Sequence, residues 1–178
     1  MNREYYSFWF RLDNRDGYLI FFYDEPDPDG FITDERGRVA CFLNTEDLLR
    51  YASVSNLVVD AEDPRLLDLD ILAAWLKSKN ADTVDCVILL EAWNLFDDFS
   101  KTVDGNFDAE QKKTQNIYNK LFWGNNLPAV TPEGEHFEPT WTKRELKIMR
   151  EVLGVGLSLF RQKISCVKTT THRTNQWT

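Results

Sequence analysis

The chain has 178 residues, of which 43% are hydrophobic and 13% aromatic, and a net charge of −8. That length fits one domain able to bury about 70% of the surface its unfolded form exposes, so neither a disulfide nor a metal is needed to hold a core. An acidic balance repels nucleic acid and anionic membrane and draws basic partners, although it also serves plain solubility.

The first 43 residues read as strands. YYSFWFRL and GYLIFFYD are rich in aromatic and β-branched residues, and NRDG between them is a turn signal. DEPDPDG breaks the pattern with two prolines and a glycine. FITDERGRVACFL then reads as a second hairpin turning at ERGR. An antiparallel meander is the expected result.

Helical signals follow. TEDLLRYASV is a short helix opened by Asn44 or Thr45, and LVVD a brief strand. After Asp63-Pro64, RLLDLDILAAWLKSKN places Leu67, Ile71 and Trp75, with Leu72 and Leu76, at helical spacing. ADTVDCVILLEAWNLFDDFSKTV is the clearest helix. Its apolar residues Val84, Val87, Ile88, Leu95, Phe96, Phe99 and Val103 form one stripe, with Asp82 placed to cap it. DAEQKKTQNIYNKLF carries Asp108 and Gln111 at capping-box spacing. A last helix opens on a second such box, Thr142 and Glu145, with Leu146, Met149, Leu153, Leu157 and Phe160 as its buried face. ISCVKTTT is strand-like. Strands first and helices later predict an α+β fold: an N-terminal antiparallel meander of hairpins packed against a C-terminal set of four to five helices, in one domain spanning residues 1–178.

Charge is uneven along the chain. Residues 1–110 carry 24 acidic against 10 basic side chains; residues 111–178 carry 5 against 11. Cys41, Cys86 and Cys166 are odd in number and far apart, which is neither a disulfide framework nor a zinc spacing. MNREYYSFWF lacks the apolar core of a signal peptide, and no run approaches the roughly 18 apolar residues of a membrane span. A soluble, cytoplasmic protein is expected.

Catalytic patterns are sparse. His136 lies between Glu135 and Glu138 with Glu133 close by, and the other histidine, His172, sits in a polar tail. That is too few ligands for a metal site, and no cofactor motif is present: there is no GxGxxG, P-loop or GxSxG. A hydrolase built on His136 and Glu133 is one alternative, and an acidic adaptor for some basic protein another. Two acidic clusters stand out as candidate contacts for a basic partner. One is Asp97, Asp98, Asp104 and Asp108 around the end of the central helix. The other is Asp24, Glu25, Asp27 and Asp29 in DEPDPDG, where Pro26 and Pro28 lower the entropy cost of ordering the loop. Solubilising charge is the plainer reading of each.

The stretch FWGNNLPAVTPEGEHFEPTWTKRE has neither helical nor strand period. Loops this long are usually functional or disordered. Trp123, Phe137 and Trp141 are expected to pin it to the core as a structural loop bracing the end of the central helix, with direct partner contact as the second choice.

EAWNLFDDFSKTV and YNKLFWGNNLPAVTPEGEHFEPTW resemble immunity proteins of bacterial contact-dependent growth inhibition systems, through a WN-F-D helix, a KLF-G-NLP-VTP-GE loop and a following helix. The likeness covers roughly residues 90–160; the N-terminal half has no such match. It implies a non-enzymatic protein that binds the C-terminal toxin domain delivered by a neighbouring cell, often a basic nuclease, and occludes its active site or substrate groove. No binding residue is carried over from the family.

Overall fold

The computed structural model describes residues 3–24, 28–78, 83–107 and 112–166. The chain is α+β, as its pattern predicts. β1 (Glu4–Leu12) and β2 (Arg15–Tyr23) form a hairpin in which Leu12 faces Arg15. The two-residue connection, Asp13-Asn14, has φ of 54° and 57°. Both central residues are thus left-handed, as the twist-matched hairpin turn requires, and Asp and Asn tolerate that conformation best after Gly. The turn is centred two residues earlier than NRDG suggests. Its backbone N–H groups donate to the Asp70 carboxylate at 2.7 and 2.8 Å, tying the hairpin to a helix 56 residues on.

β3 (Gly30–Phe31) adds antiparallel to β2. The hairpin expected from FITDERGRVACFL is present: Thr33 bridges Val39, and the turn closes on Gly37 at φ 70° before β4 (Val39–Cys41). The meander is incomplete as a description, because the other edge of β1 is paired in parallel. β5 (Val59–Asp60) takes Tyr5 and Tyr6, and β6 (Leu66–Asp68) takes Trp9, Phe10 and Arg11. The helix expected from Arg65 onward therefore starts later, as α2 (Leu69–Lys77), capped by Asp68. A free strand edge beside Trp9 claims Leu66–Asp68 before helical propensity can. β7 (Ile164–Cys166) pairs in parallel with β4.

Successive strand residues face opposite ways, and both faces of the sheet are covered. Phe10, Leu12, Leu19 and Phe31 face the main core with α2, α3 (Cys86–Thr102), α4 (Lys112–Gly124) and α5 (Lys143–Lys163). Ile20, Ala40 and Phe42 face a smaller core closed by α1 (Thr45–Val54), whose cap is Asn44. Four helices, α2 to α5, thus form the expected C-terminal set on one face, and α1 covers the other.

α3 is the axis of the main core. Asp85, not Asp82, caps it, accepting from the N–H groups of Val87 and Ile88; Asp82 lies outside the described residues. Its buried stripe is Leu89, Trp93, Phe96 and Phe99, whereas Val87 and Ile88 are only partly covered. α5 crosses it where Gly156 meets the Phe96 ring, an approach a Cβ would block. Thr142 and Glu145 form the expected capping box of α5, and Met149, Leu153, Leu157 and Phe160 its buried face, with Leu146 half-buried. The Asp108–Gln111 box lies outside the described residues. Among the described residues no helix is long and apolar enough to cross a membrane.

Cys41 and Cys166 are distant in sequence but adjacent in space. The parallel register sets them opposite each other, with Sγ atoms 3.3 Å apart. The Cys41 hydrogen bond, helped by Arg15, pulls the Cys166 thiol down to about 6, while the same bond and burial push Cys41 up. Negative charge on the pair belongs to the more exposed sulfur.

Candidate functional site

The turn-and-proline segment and the central helix meet. The Phe31 N–H donates to Thr102 Oγ1 at 3.1 Å, and Gly30 lies so close to that hydroxyl that a Cβ would strike it. Gly30 and Phe31 are therefore laid against the last turn of α3. Asp29 comes near enough to Asp98 for its charge to act on that carboxylate. The two acidic clusters of the sequence are one face here, at least through Asp29, Asp97 and Asp98. Asp104 follows in an exposed turn at φ 50°.

The other candidates fare differently. Asp24 is buried, at 6% exposure, and is paired with Arg3, whose Nε donates to it at 2.8 Å and whose guanidinium covers the Phe22 ring. Its charge is spent inside the fold, so it is not part of a free acidic surface. Glu25, Asp27 and Asp108 lie outside the described residues.

Asp97 and Asp98 are not equivalent, because neighbouring helix positions point about 100° apart. Asp97 is paired to Lys101 one turn later at 2.8 Å. Asp98 turns inward. Its side chain is 30% exposed, and among the described residues its closest cation is Lys101 Nζ at 3.9 Å and no donor hydrogen-bonds its carboxylate. Burial raises its pKa to about 6, Lys101 offsets part of that, and Asp97 and Asp29 add to it.

Asp98 borders a cavity of about 360 Å³ between α3 and the sheet. Glu91, Asn94, Leu95 and Asp98 recur at helical spacing and form its helix wall, while Phe8, Phe21, Phe31 and Leu67 form its apolar floor. Ser7 and Phe8, which lie between the β5 and β6 pairings of β1, line it together with Pro64 and Arg65. Arg65 bonds Glu91 at 3.0 Å across the rim. Burial raises Glu91 too, against the pull of Arg65. Glu91, Asn94 and Arg65 were missed in the sequence. The available signal was a polar stripe at 91, 94 and 98 beside the apolar one, which has no meaning until a sheet is placed against it.

The loop of residues 125–141 closes on Asn126, at φ 50°. Its amide donates to the carbonyls of Gly124 and Phe137 and accepts from the Phe137 N–H at 2.7 Å. The loop braces the start of α3, not its end: Gly124 and Pro139 close over Cys86. Of the three aromatics expected to pin it, Trp141 packs on the core, under Lys120, but Trp123 and Phe137 are 48% and 43% exposed. A second cavity there is lined by Trp123, Thr131, Pro132, Glu135, His136 and Phe137 and has no cysteine in its wall. His136 is exposed, with Glu138 3.9 Å away. Among the described residues no three His, Cys, Asp or Glu side chains are placed to hold a metal. His136→Ala should accordingly leave partner binding within a few-fold of wild type; one tightly held zinc per chain, lost on that substitution and seen by elemental analysis, would contradict this.

No family model matches the chain, and no curated protein sequence matches it. The chain is similar in structure to the C-terminal domain of SatS, a domain crystallised in complex with bromine, with a TM-score of 0.52 and 14% identity over 93% of this chain and 94% of that one. At that identity the likeness is one of fold alone.

Proposed function

We propose that this protein is a non-enzymatic inhibitor that binds and neutralises a basic toxin domain, as the resemblance to contact-dependent growth inhibition immunity proteins implies. The observation that carries the reading is the convergence of Asp29, Asp97 and Asp98 beside an apolar cavity. Carboxylates at a part-exposed face steer a basic surface and suppress wrong partners, while an apolar recess supplies the desolvated anchor that most binding energy needs. If the toxin is a nuclease, the lysines and arginines that hold its phosphates are the groups this face would cover.

The test is to look for a reading frame immediately upstream that encodes the C-terminus of a very large secreted protein, and to co-express that C-terminal domain with this protein, read by growth and by co-purification. Growth rescue together with a stable complex supports the reading; rescue without any complex would point to an enzyme acting on the toxin or its product instead. Association should also slow as salt rises, because exposed charges are screened beyond a Debye length of about 8 Å at physiological ionic strength. Asp98→Lys should raise the dissociation rate as well, since it sets like charges together in a partly desolvated contact. Asp104→Lys, in an exposed turn, should alter association alone and only modestly. If neither variant nor salt changes either rate, the apolar residues Trp123, Leu127, Val130 and Phe137 of the loop become the better contact surface.

A further inference from the structure

The cavity under Asp98 has a more specific chemistry than an acidic face. We infer that it receives one lysine or arginine side chain of the protein partner, with the stem on the apolar floor and the cationic head on the Asp98 carboxylate. This rests on the inhibitor reading for the identity of the partner, but not for the chemistry of the site.

Three observations select that occupant. The volume, about 360 Å³, falls in the range of small-ligand pockets, roughly 300–1,000 Å³, and suits a side chain better than a helix or strand. The floor is aromatic and aliphatic while the rim is anionic, the arrangement in which a long cationic side chain buries its methylenes and keeps its charge at the mouth. Asp98 is left short of donors: Lys101 is closer to Asp97, and Arg65 is engaged with Glu91. A half-buried carboxylate without a donor is costly, and an incoming N–H group removes that cost.

The alternatives fit less well. An anion would meet Asp98, Glu91 and Asp29 together. A neutral apolar group would fill the floor but desolvate Asp98 further and leave it unpaired. Among the described residues, the charged and titratable groups around Asp98 are Asp97, Lys101 and Glu91 on α3, Arg65 before β6, Asp29 before β3 and Tyr118 on α4. Of these, Lys101 and Arg65 are the cations, and both already hold a carboxylate. Because burial lifts the Asp98 pKa to about 6, the site should hold a cation well at neutral pH and lose it on mild acidification.

The test uses the whole protein and small probes: n-butylammonium for a lysine side chain and n-propylguanidinium for an arginine, with n-butanol and butyrate as controls. Amide shifts are followed by NMR at about pH 7.5 and about pH 5, on either side of the Asp98 titration. The expected result is saturable shifts centred on Phe31, Asn94, Leu95 and Asp98 with one or both cations. Affinity should be about tenfold weaker for n-butanol, for Asp98→Asn, and at the lower pH, as the loss of one charge-assisted hydrogen bond implies. The tighter of the two cations names the side chain. Equal binding of n-butanol and n-butylammonium, unchanged binding to Asp98→Asn, or no saturable shift at the cavity would overturn the inference. Co-purification of the toxin domain with wild type separates the two ideas. A toxin complex without cation binding in the cavity defeats this inference alone, and cation binding without a toxin complex defeats the inhibitor reading alone.

Discussion

Phe99→Ala should cost about 3–5 kcal/mol of stability. Phe99 is 0% exposed. Its ring lies 4.8 Å from that of Phe160 on α5 and 6.1 Å from that of Phe31 on β3, so it joins three elements at once. The space left behind would be walled by other rings already in edge and tilted contacts. These cannot collapse into it, because Gly156 already holds α5 against Phe96. Domains of this kind are stable by only about 5–15 kcal/mol, so the variant should be partly unfolded or close to it. The measurement is the urea midpoint beside that of Ile71→Ala, an exposed α2 position that should shift by less than about 0.5 kcal/mol. Equal midpoints for Phe99→Ala and wild type would mean that α3 does not lie across the sheet in this way.

The same stripe shows what can be read from a sequence and what cannot. Phe96, Phe99, Leu153 and Phe160 recur at helical spacing within one segment each, and the Thr142–Glu145 box is complete in four residues; local patterns of this kind are legible. Leu66–Asp68 is not. Its leucines continue a helical period, and only the free edge of β1, more than 50 residues earlier, makes them a strand. The second core under α1 had a signal that was open to use. Phe8–Phe10 in β1 and Tyr18–Tyr23 in β2 are unbroken aromatic or aliphatic runs, and a strand without polar alternation is covered on both faces.

The candidate site divides in the same way. Acidity near the end of α3 is visible in the composition, but Asp24 and Asp29 look alike within DEPDPDG. The difference between them comes from Arg3, which takes Asp24 into the fold, and from Thr102, which draws the Asp29 side of the loop onto α3. Asp97 and Asp98 are also alike in sequence. Which of them faces the cavity depends on the rotation of the helix against the sheet, set by Phe96 and Phe99.

That rotation leads to the second large effect: Asp98→Asn should make the protein more stable at neutral pH while weakening its hold on a partner. The Asp98 pKa rises from 3.8 to about 6 in the folded chain, with burial as the main cause. Below the unfolded value the group is neutral in both states and costs nothing. Between the two values the folded state holds the extra proton, so stability falls as pH rises. Above about 6 the full cost is present. An asparagine never ionises, so the variant should gain at pH 7 and lose this part of the pH dependence. The rim is open enough to discount the gain to about 1–2 kcal/mol, or about 2–6 °C in Tm for a chain of this length. Thermal unfolding at several values between about pH 4 and pH 7.5 measures it. A residue kept for packing alone would lose stability on substitution. One kept ionised at a cost, for a partner's cation, gains stability and loses binding, the trade-off found where a site is held in a strained state. If Asp98→Asn is instead less stable than wild type at pH 7, the carboxylate is already satisfied within the fold, and the cavity beneath it has no unmet charge to offer.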